Sequence, residues 1–494
     1  ADGRGCVLIG CSTYEEGAGT GPGVMMIRAG DRAATQVIPG TASSVGPLAL
    51  ADFDNDGQLE LFVGGRCISG RYPFAPQSQI WHLQNDGLVL DRDNSAAVAG
   101  AGMVSGAVWT DLDKDGWPDL VLACEWGPVR VFRNNRGRLG EVTSEVGLAK
   151  YTGWWNGVTA GDFDGDGNQD LLATNWGLNT PYKATPELPY MLFYGDFDDS
   201  GVVNMIEASV DPCSGKAVPE RDLDAVASAL PFVRDRFPTH AAYARATVED
   251  LLRIRSSKTE VLQVTTLSSM LFLNRTNRFD AIPLPREAQL ATALGACVAD
   301  FDGDGAEDVF LSQNFFPTHP KVPRCDAGRG LWLKGDGRGN LKPVPGQTSG
   351  VKVYGEQRGC AVSDFDSDGR VDIVVTQNGN ATKLFRNVRA KPGLRIRLAG
   401  PPGNPTAIGA VLRLGSGNRF WPAREIHAGS GYWSQDSAVQ VLCGPTKSRR
   451  LMVRWPGGKT VYFDLPDNAV EATIRFPDQI SCGTSLHGAT VRMQ

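Results

Sequence analysis

The stretch Asp162-Phe163-Asp164-Gly165-Asp166-Gly167-Asn168-Gln169-Asp170 decides how this chain is read, because close variants begin at Asp52, Asp111, Asp196, Asp300 and Asp364. Each variant puts oxygen-bearing side chains at positions one, three, five and nine, and glycine at six. In order they are Asp52, Asp54, Asp56 and Glu60; Asp111, Asp113, Asp115 and Asp119; Asp162, Asp164, Asp166 and Asp170; Asp196, Asp198, Ser200 and Asn204; Asp300, Asp302, Asp304 and Asp308; and Asp364, Asp366, Asp368 and Asp372. Calcium takes about six to eight hard oxygen ligands at roughly 2.3–2.6 Å, and alternate residues of a tight turn converge on one ion. Glycine at position six permits that turn. Position seven varies freely, as suits a backbone-carbonyl ligand, whereas position two is always Phe or Leu, an apolar anchor. The pattern predicts five to six Ca2+ sites. The Asp196 loop is the weakest, since Ser200 and Asn204 replace carboxylates.

An EF-hand would carry glutamate at position twelve and flanking helices. Here position twelve is Val63, Leu122, Ala173, Glu207, Leu311 or Val375. The residues after the loops, such as Asp119-Leu120-Val121-Leu122-Ala123 and Asp372-Ile373-Val374-Val375, read as short buried strands. Each loop therefore joins two strands.

The loop starts lie 59, 51, 34, 104 and 64 residues apart. Repeats of a few short strands near that spacing are the mark of a β-propeller, because one blade cannot bury both of its faces alone. Six loops plus the N-terminal portion Val7–Ile38 predict an all-β, seven-bladed propeller over residues 1–387, closed by pairing of the first strands with the last blade; six blades is the alternative. Between Glu220 and Leu252 the apolar period turns helical, with a break at Pro238, so a helical insertion is expected over about 217–268. Its arginines Arg221, Arg234, Arg236, Arg245, Arg253 and Arg255 read as a solvated face. Residues 388–494 alternate as short strands, which predicts a small antiparallel β-sandwich.

With 494 residues and 41% hydrophobic content, the chain is long enough to bury a large core. No apolar run approaches the roughly 20 residues that cross a bilayer, so no transmembrane segment is expected. The net charge of −6 becomes +4 once five dications are bound. No basic run or aromatic-basic interleaving points to nucleic acid. Ten cysteines suit an oxidising compartment; Cys6 with Cys11 and Cys443 with Cys482 are candidate disulfide pairs. Weak calcium modules fill at about 10⁻⁴–10⁻³ M, an extracellular level. A secreted, periplasmic or extracellular location follows as the expectation.

The Asp-Phe-Asp-x-Asp-Gly loops resemble the FG-GAP/VCBS repeats of integrin-α-type propellers. Thr406–Ala410, Gly429–Gln435 and Val453–Gly458 resemble the ASPIC/UnbV domain. Together they resemble the family of cartilage acidic protein 1 and its UnbV-like bacterial relatives, including the helical insertion of bacterial members. The resemblance implies a secreted calcium-binding propeller and assigns little chemistry.

If the loops share one face, the strand ends on the opposite face gather near the axis. Those ends carry Arg66, Glu125, Trp126, Trp154, Trp155, Asn156, Asn175, Trp176, Asn314, Glu356, Gln357, Arg358 and Asn378. Aromatic rings and amides around a funnel suit a glycan or another polar, ring-bearing ligand. The preferred expectation is a binding protein with structural calcium and a protein, glycan or small-molecule partner on that face. An enzyme, a lyase or C–C/C–O bond-forming catalyst, would use Glu125 or Glu356 as base and Arg66 or Arg358 to hold an anion. A third reading is a structural subunit of an extracellular assembly. The five histidines, His82, His240, His319, His427 and His487, are too dispersed in sequence to advertise a catalytic constellation.

Overall fold

The computed structural model describes residues 5–12, 21–84, 87–252, 259–445 and 447–484. Arg253, Arg255 and His487 lie outside these residues. Many small sheets make up the structure, and its helices are short.

Five similar sheets form the body. Their strands are Ser43–Ala51, Glu60–Ile68, Gln79–Gln84 and Gly87–Asp91; Met103–Thr110, Asp119–Pro128, Arg130–Asn134 and Leu139–Glu141; Gly157–Gly161, Asp170–Thr174, Met270–Asn274 and Phe279–Pro283; Ala293–Ala299, Asp308–Gln313, Leu331–Gly335 and Leu341–Val344; and Glu356–Ser363, Asp372–Asn378 and Asn380–Phe385. In each, an acidic loop is the turn between the first two strands, with Ala51 opposite Glu60 and Thr110 opposite Asp119. The first strands pack side by side in chain order. That propeller-like order sets the five loops at one end of a shared axis.

The position-two anchors explain how neighbouring sheets lock. Phe53 stacks on Trp109 of the second sheet, with ring centroids 5.4 Å apart. Its carbonyl accepts from the Asn134 side chain, the Leu112 carbonyl accepts from Asn274, and the Phe301 carbonyl accepts from Asn387. Each asparagine thus ties its own sheet to the preceding loop. Phe365 is the exception: it is 62% exposed, because no further loop-bearing sheet follows the fifth.

The Asp196 loop is not part of this series. It joins Tyr190–Gly195 to Asn204–Val210, which pair with Glu260–Val264 and Ala217–Pro219 in a separate four-stranded sheet. The third repeat sheet takes its third strand only at Met270–Asn274, so residues 175–269 are an insertion inside that sheet. The count of seven needed a blade around Asp196, whereas the loop-bearing sheets of the series number five. Among the described residues of the insertion the helices are short, Leu223–Ala229, Phe232–Arg236, His240–Tyr243 and Val248–Leu252, so the chain breaks at more places than Pro238. They bury Leu223, Leu230, Val233 and Leu251 against Phe197 and Ile206.

At the N-terminus, Cys6–Gly10, Pro22–Arg28 and Thr35–Pro39 form a three-stranded sheet against the first repeat sheet. Among the described residues it pairs with no strand of the fifth sheet. All ten cysteines are free thiols. Cys6 and Cys11 are separated by a strand rising about 3.3 Å per residue, far beyond the roughly 4.4–6.8 Å Cα span of a disulfide. Cys443 and Cys482 lie at opposite edges of one four-stranded sheet.

The C-terminal residues form two sheets around one core that includes Ile396, Leu412, Leu451 and Trp455. One sheet is antiparallel: Val411–Ser416, Arg449–Arg454 and Thr460–Asp464, with two short strands at its edge. The other departs from the antiparallel expectation, since Leu394–Ala399 pairs parallel with Glu471–Arg475. The intervening chain builds the first sheet before returning, and such a crossover is what a parallel pair requires.

Candidate functional site

The acidic turns share one hydrogen-bond plan. The position-one carboxylate accepts from the glycine N–H at six, at 3.1 Å for Gly57 to Asp52, 2.9 Å for Gly167 to Asp162 and 2.8 Å for Gly305 to Asp300. The position-nine oxygen accepts from the N–H at position two, as Phe163 to Asp170 at 2.9 Å. These bonds leave other oxygens aimed inward. One buried carboxylate oxygen in each of the five loops, Oδ1 of Asp52, Asp111, Asp162, Asp302 and Asp366, has no hydrogen-bond partner. Such orphans cost about 1–3 kcal/mol each unless a cation meets them. Acidic groups from these loops lie close enough to hold one ion, including Asp52 with Asp54 and Asp56, Asp111 with Asp113 and Asp115, and Asp162 with Asp164 and Asp170.

Burial, ahead of every other cause, pushes the carboxyls up: Asp52 and Asp111 to about 6, Asp162 to about 7, Asp170 and Asp308 to about 8, and Glu60 to about 9. Neighbouring loop carboxylates add to the rise. A bound dication would reverse both effects, so these residues fit a divalent metal. The Asp196 loop makes the same turn, with Gly201 donating to Asp196 at 3.0 Å and Phe197 to Asn204 at 2.9 Å. It contributes no buried orphan oxygen among the described residues.

Sequence reasoning missed what covers the loops. The C-terminal sheets sit directly on them. Arg454 pairs with Asp111 at 2.6 Å, the Ala423 N–H donates to Asp162 at 2.7 Å, Arg424 forks onto Glu307 at 2.9 and 2.5 Å, and Arg395 pairs with Asp364 at 2.6 Å. At the Asp52 loop, Gly403 lies flat against the Gly57 carbonyl, where a side chain would collide.

From this cap a loop descends the axis. Leu50 N–H donates to the Ala428 carbonyl at 2.8 Å, and Gly431 N–H to the Val158 carbonyl at 2.8 Å. The Trp433 indole N–H then donates to the Ser105 carbonyl at 3.0 Å, nearer the far face. Gly429 and Gly431 both have positive φ, and a Cβ on either would strike the first or fourth sheet's backbone. Gln435 ties the loop's base by accepting from Gly429 N–H and donating to the His427 carbonyl. The axis is filled, and the expected open funnel is replaced by a protein plug.

Its tip carries Tyr432 stacked on Trp433, with ring centroids 4.8 Å apart and an interplanar angle of 10°. Trp433 is 49% exposed. Around Tyr432 stand Arg66, Glu125, Glu356 and Arg358. Arg66 pairs with Glu125, which also accepts from the Tyr72 hydroxyl at 2.7 Å; Arg358 pairs with Glu356 and lies over Phe315 at 5.5 Å. The four strand-end charges picked out from the sequence thus lie together as two acid–arginine pairs, a pairing the sequence did not state. Asn378 donates to Glu356 at 3.3 Å.

The remaining residues expected to contact ligand pack or hydrogen-bond within the chain, although the Trp154 and Trp176 indole N–H groups have no hydrogen-bond partner. Trp155 is fully buried between the second and third sheets. Trp126 and Trp154 pack edge to face at 5.0 Å beneath Tyr182 and Tyr190 of the insertion, with Trp176 against Trp154 at 5.3 Å. The Asn156 side chain donates to the Ala293 carbonyl, Asn175 to Thr266 and Ser268, Asn314 to Gly328 and Gly355, and Gln357 to Val353. These amides tie off backbone at strand ends.

Two family descriptions match the chain: "FG-GAP-like repeat" over residues 111–173, and "ASPIC and UnbV" over residues 400–479. Cartilage acidic protein 1 of Xenopus tropicalis is 23% identical over 312 residues, covering 59% of this chain and 43% of that protein, so the chain spans less than half of its relative's length. Among solved structures, the Pseudomonas aeruginosa periplasmic gluconolactonase PpgL aligns at TM-score 0.32 and 13% identity, over 79% of this chain and 97% of its own. The V. cholerae biofilm matrix protein Bap1 aligns at TM-score 0.27 and 12% identity, over 90% and 62%. Rhamnogalacturonan lyase YesW aligns at TM-score 0.30 and 11% identity, over 92% and 81%. No helix among the described residues is long and apolar enough to cross a membrane. The chain thus carries an FG-GAP-like repeat in its body, at residues 111–173, and an ASPIC/UnbV domain in its cap, at residues 400–479.

Proposed function

We propose that this chain is an exported binding protein: a propeller of six sheets over residues 1–387, stabilised by calcium, with an ASPIC/UnbV sandwich over 388–494 that seals the calcium end. Its ligand docks on the opposite face, around the plug tip. The observation that carries this reading is the Tyr432–Trp433 stack, with Trp433 exposed and Tyr432 half-buried among Arg66, Glu125, Glu356 and Arg358. Flat rings with charged hydrogen-bonding groups at their edge suit a glycan or an aromatic small molecule. The ions under the cap bind no partner themselves. They hold the hairpin turns whose carboxylates would otherwise repel, and extracellular calcium is sufficient to fill such weak sites.

Geometry favours binding over catalysis. Glu125 and Glu356 are each engaged by an arginine, and a general base needs a carboxylate free to reach substrate. An assembly subunit that used the C-terminal sheets for contact would have less of them to offer, because their loop-facing side is occupied within the chain.

Profiling the calcium-loaded protein against glycan and aromatic-metabolite panels tests the reading. Binding that is lost in Trp433→Ala and Arg358→Ala, with unchanged melting temperature, supports it. Turnover that disappears in Glu125→Gln or Glu356→Gln would replace it with the enzyme.

A further inference from the structure

Every repeat-sheet loop receives a side chain from the third strand, or its end, at its position-three carboxylate. In four loops that side chain is a fixed cation: Arg133 on Asp113, Arg275 on Asp164, Lys334 on Asp302 and Arg386 on Asp366. In the Asp52 loop it is His82. The histidine lies over Phe53, with ring centroids 6.0 Å apart, which fixes its plane.

The imidazole is wired from behind. His82 Nε2 is 3.0 Å from Asp91 Oδ2, and Asp91 also accepts from the Asn94 backbone N–H at 3.0 Å and side-chain amide at 2.7 Å. An oxygen pair so surrounded by donors is a carboxylate, which holds the Nε2 side of the ring and turns Nδ1 toward the acidic loop. Nδ1 faces Glu60 Oε1 at 3.6 Å and Asp54 Oδ2 at 3.8 Å. Both are too long for a hydrogen bond, so the three atoms border a common space without bonding one another. The separations suit neighbouring ligands of one ion. Asp52, only 5% exposed, turns an Oδ1 without any hydrogen bond into the same loop.

We propose that the Asp52 loop is a transition-metal site, in which Asp52, Asp54, Glu60 and His82 Nδ1 hold a divalent ion of the Zn2+ class. The inference rests on reading the acidic loops as cation sites and goes beyond it by assigning this one a different metal. Calcium is served by oxygen alone, whereas an imidazole among carboxylates suits a borderline ion. Asp91 is the positioning residue, since a carboxylate behind a ligating histidine fixes its tautomer and raises its basicity.

The test uses the full chain, stripped with chelator and then dialysed against excess Ca2+ with about one equivalent of Zn2+, and reads bound metals by mass spectrometry. Wild type is expected to retain one Zn2+ beside its calcium. His82→Arg, which recreates the pairing of the other four loops, is expected to lose the zinc and keep the calcium with an unchanged circular dichroism spectrum. Asp91→Asn is expected to weaken zinc binding about 10–100-fold. Wild type without zinc under calcium excess, or His82→Arg holding zinc as tightly as wild type, would overturn the proposal. Zinc retained with no calcium anywhere supports this site and refutes calcium in the other loops, so the two readings fail separately.

Discussion

The Asp162 and Asp196 loops share Asp, Phe, Asp and Gly at positions one, two, three and six and sit in two different settings. The first lies under the C-terminal cap, where Asp162 accepts from Ala423 and keeps a buried orphan oxygen. The second turns at the tip of a hairpin in the insertion, and Val202 beside it is 60% exposed. Both make the same backbone turn. Two things separate them: Ser200 and Asn204 stand where the first loop has carboxylates, and desolvation differs, since a carboxylate removed from water needs a counter-ion whereas one in water has a substitute for it. The motif therefore specifies a turn, and its surroundings decide how strongly that turn depends on metal.

Removing metal gives the largest contrast. Each occupied site adds about 2.7 kcal/mol at roughly 100-fold excess over its Kd, so EGTA is expected to lower Tm by more than about 10 °C. Calorimetry with and without chelator measures this, and an unchanged Tm would remove calcium from the capped loops. The pH dependence of the chelated protein sharpens the point. Folded-state pKa values of Asp52, Asp162, Asp170, Asp308 and Glu60 lie above their unfolded values, so the stability linked to them is full below about pH 4 and is lost as pH rises through about 6 to 9. Tm in EGTA should fall from pH 5 to 9, while the calcium-saturated protein, with its carboxylates held ionised, should not follow it.

Single substitutions come next in size. Phe163→Ala should cost about 3–5 kcal/mol, because Phe163 is buried against the fourth sheet, whereas Phe365→Ala should stay within about 0.5 kcal/mol. Urea denaturation reads both. Asp162→Asn should lower stability in calcium by about 2–3 kcal/mol, and Asp196→Asn by no more than about 0.5 kcal/mol. Equal losses from the two asparagine variants would break the distinction between the loops.

The nonapeptides made the repeat legible, because their spacing carries both the turn and the strand that follows it. Their spacing also held the clue that Asp196 is foreign: it starts 34 residues after Asp162, too soon for a four-stranded repeat, and the next loop waits 104 residues. No local pattern states which strand a hairpin will pair with, so the motif alone placed it in a blade of its own. Arg66, Glu125, Glu356 and Arg358 could be picked out as charges at strand ends. The cap and the axial loop could not, since Arg424 meets Glu307 and Gly431 meets Val158 across more than a hundred residues without any period to signal it. The third-strand asparagines had a weak signature, Phe132-Arg133-Asn134 and Phe385-Arg386-Asn387, whose meaning emerges only when the neighbouring loop is seen beside them.

The loop that runs down the axis has a consequence for how the chain is held together. A glycine-rich finger bonded to several inner strands acts as a keystone, joining two parts of the molecule by interdigitation as well as by the peptide link near residue 388. Once folded, the halves no longer depend on that link: a cut at the exposed Val388 leaves a nicked molecule that travels as one particle until denaturant draws the finger out.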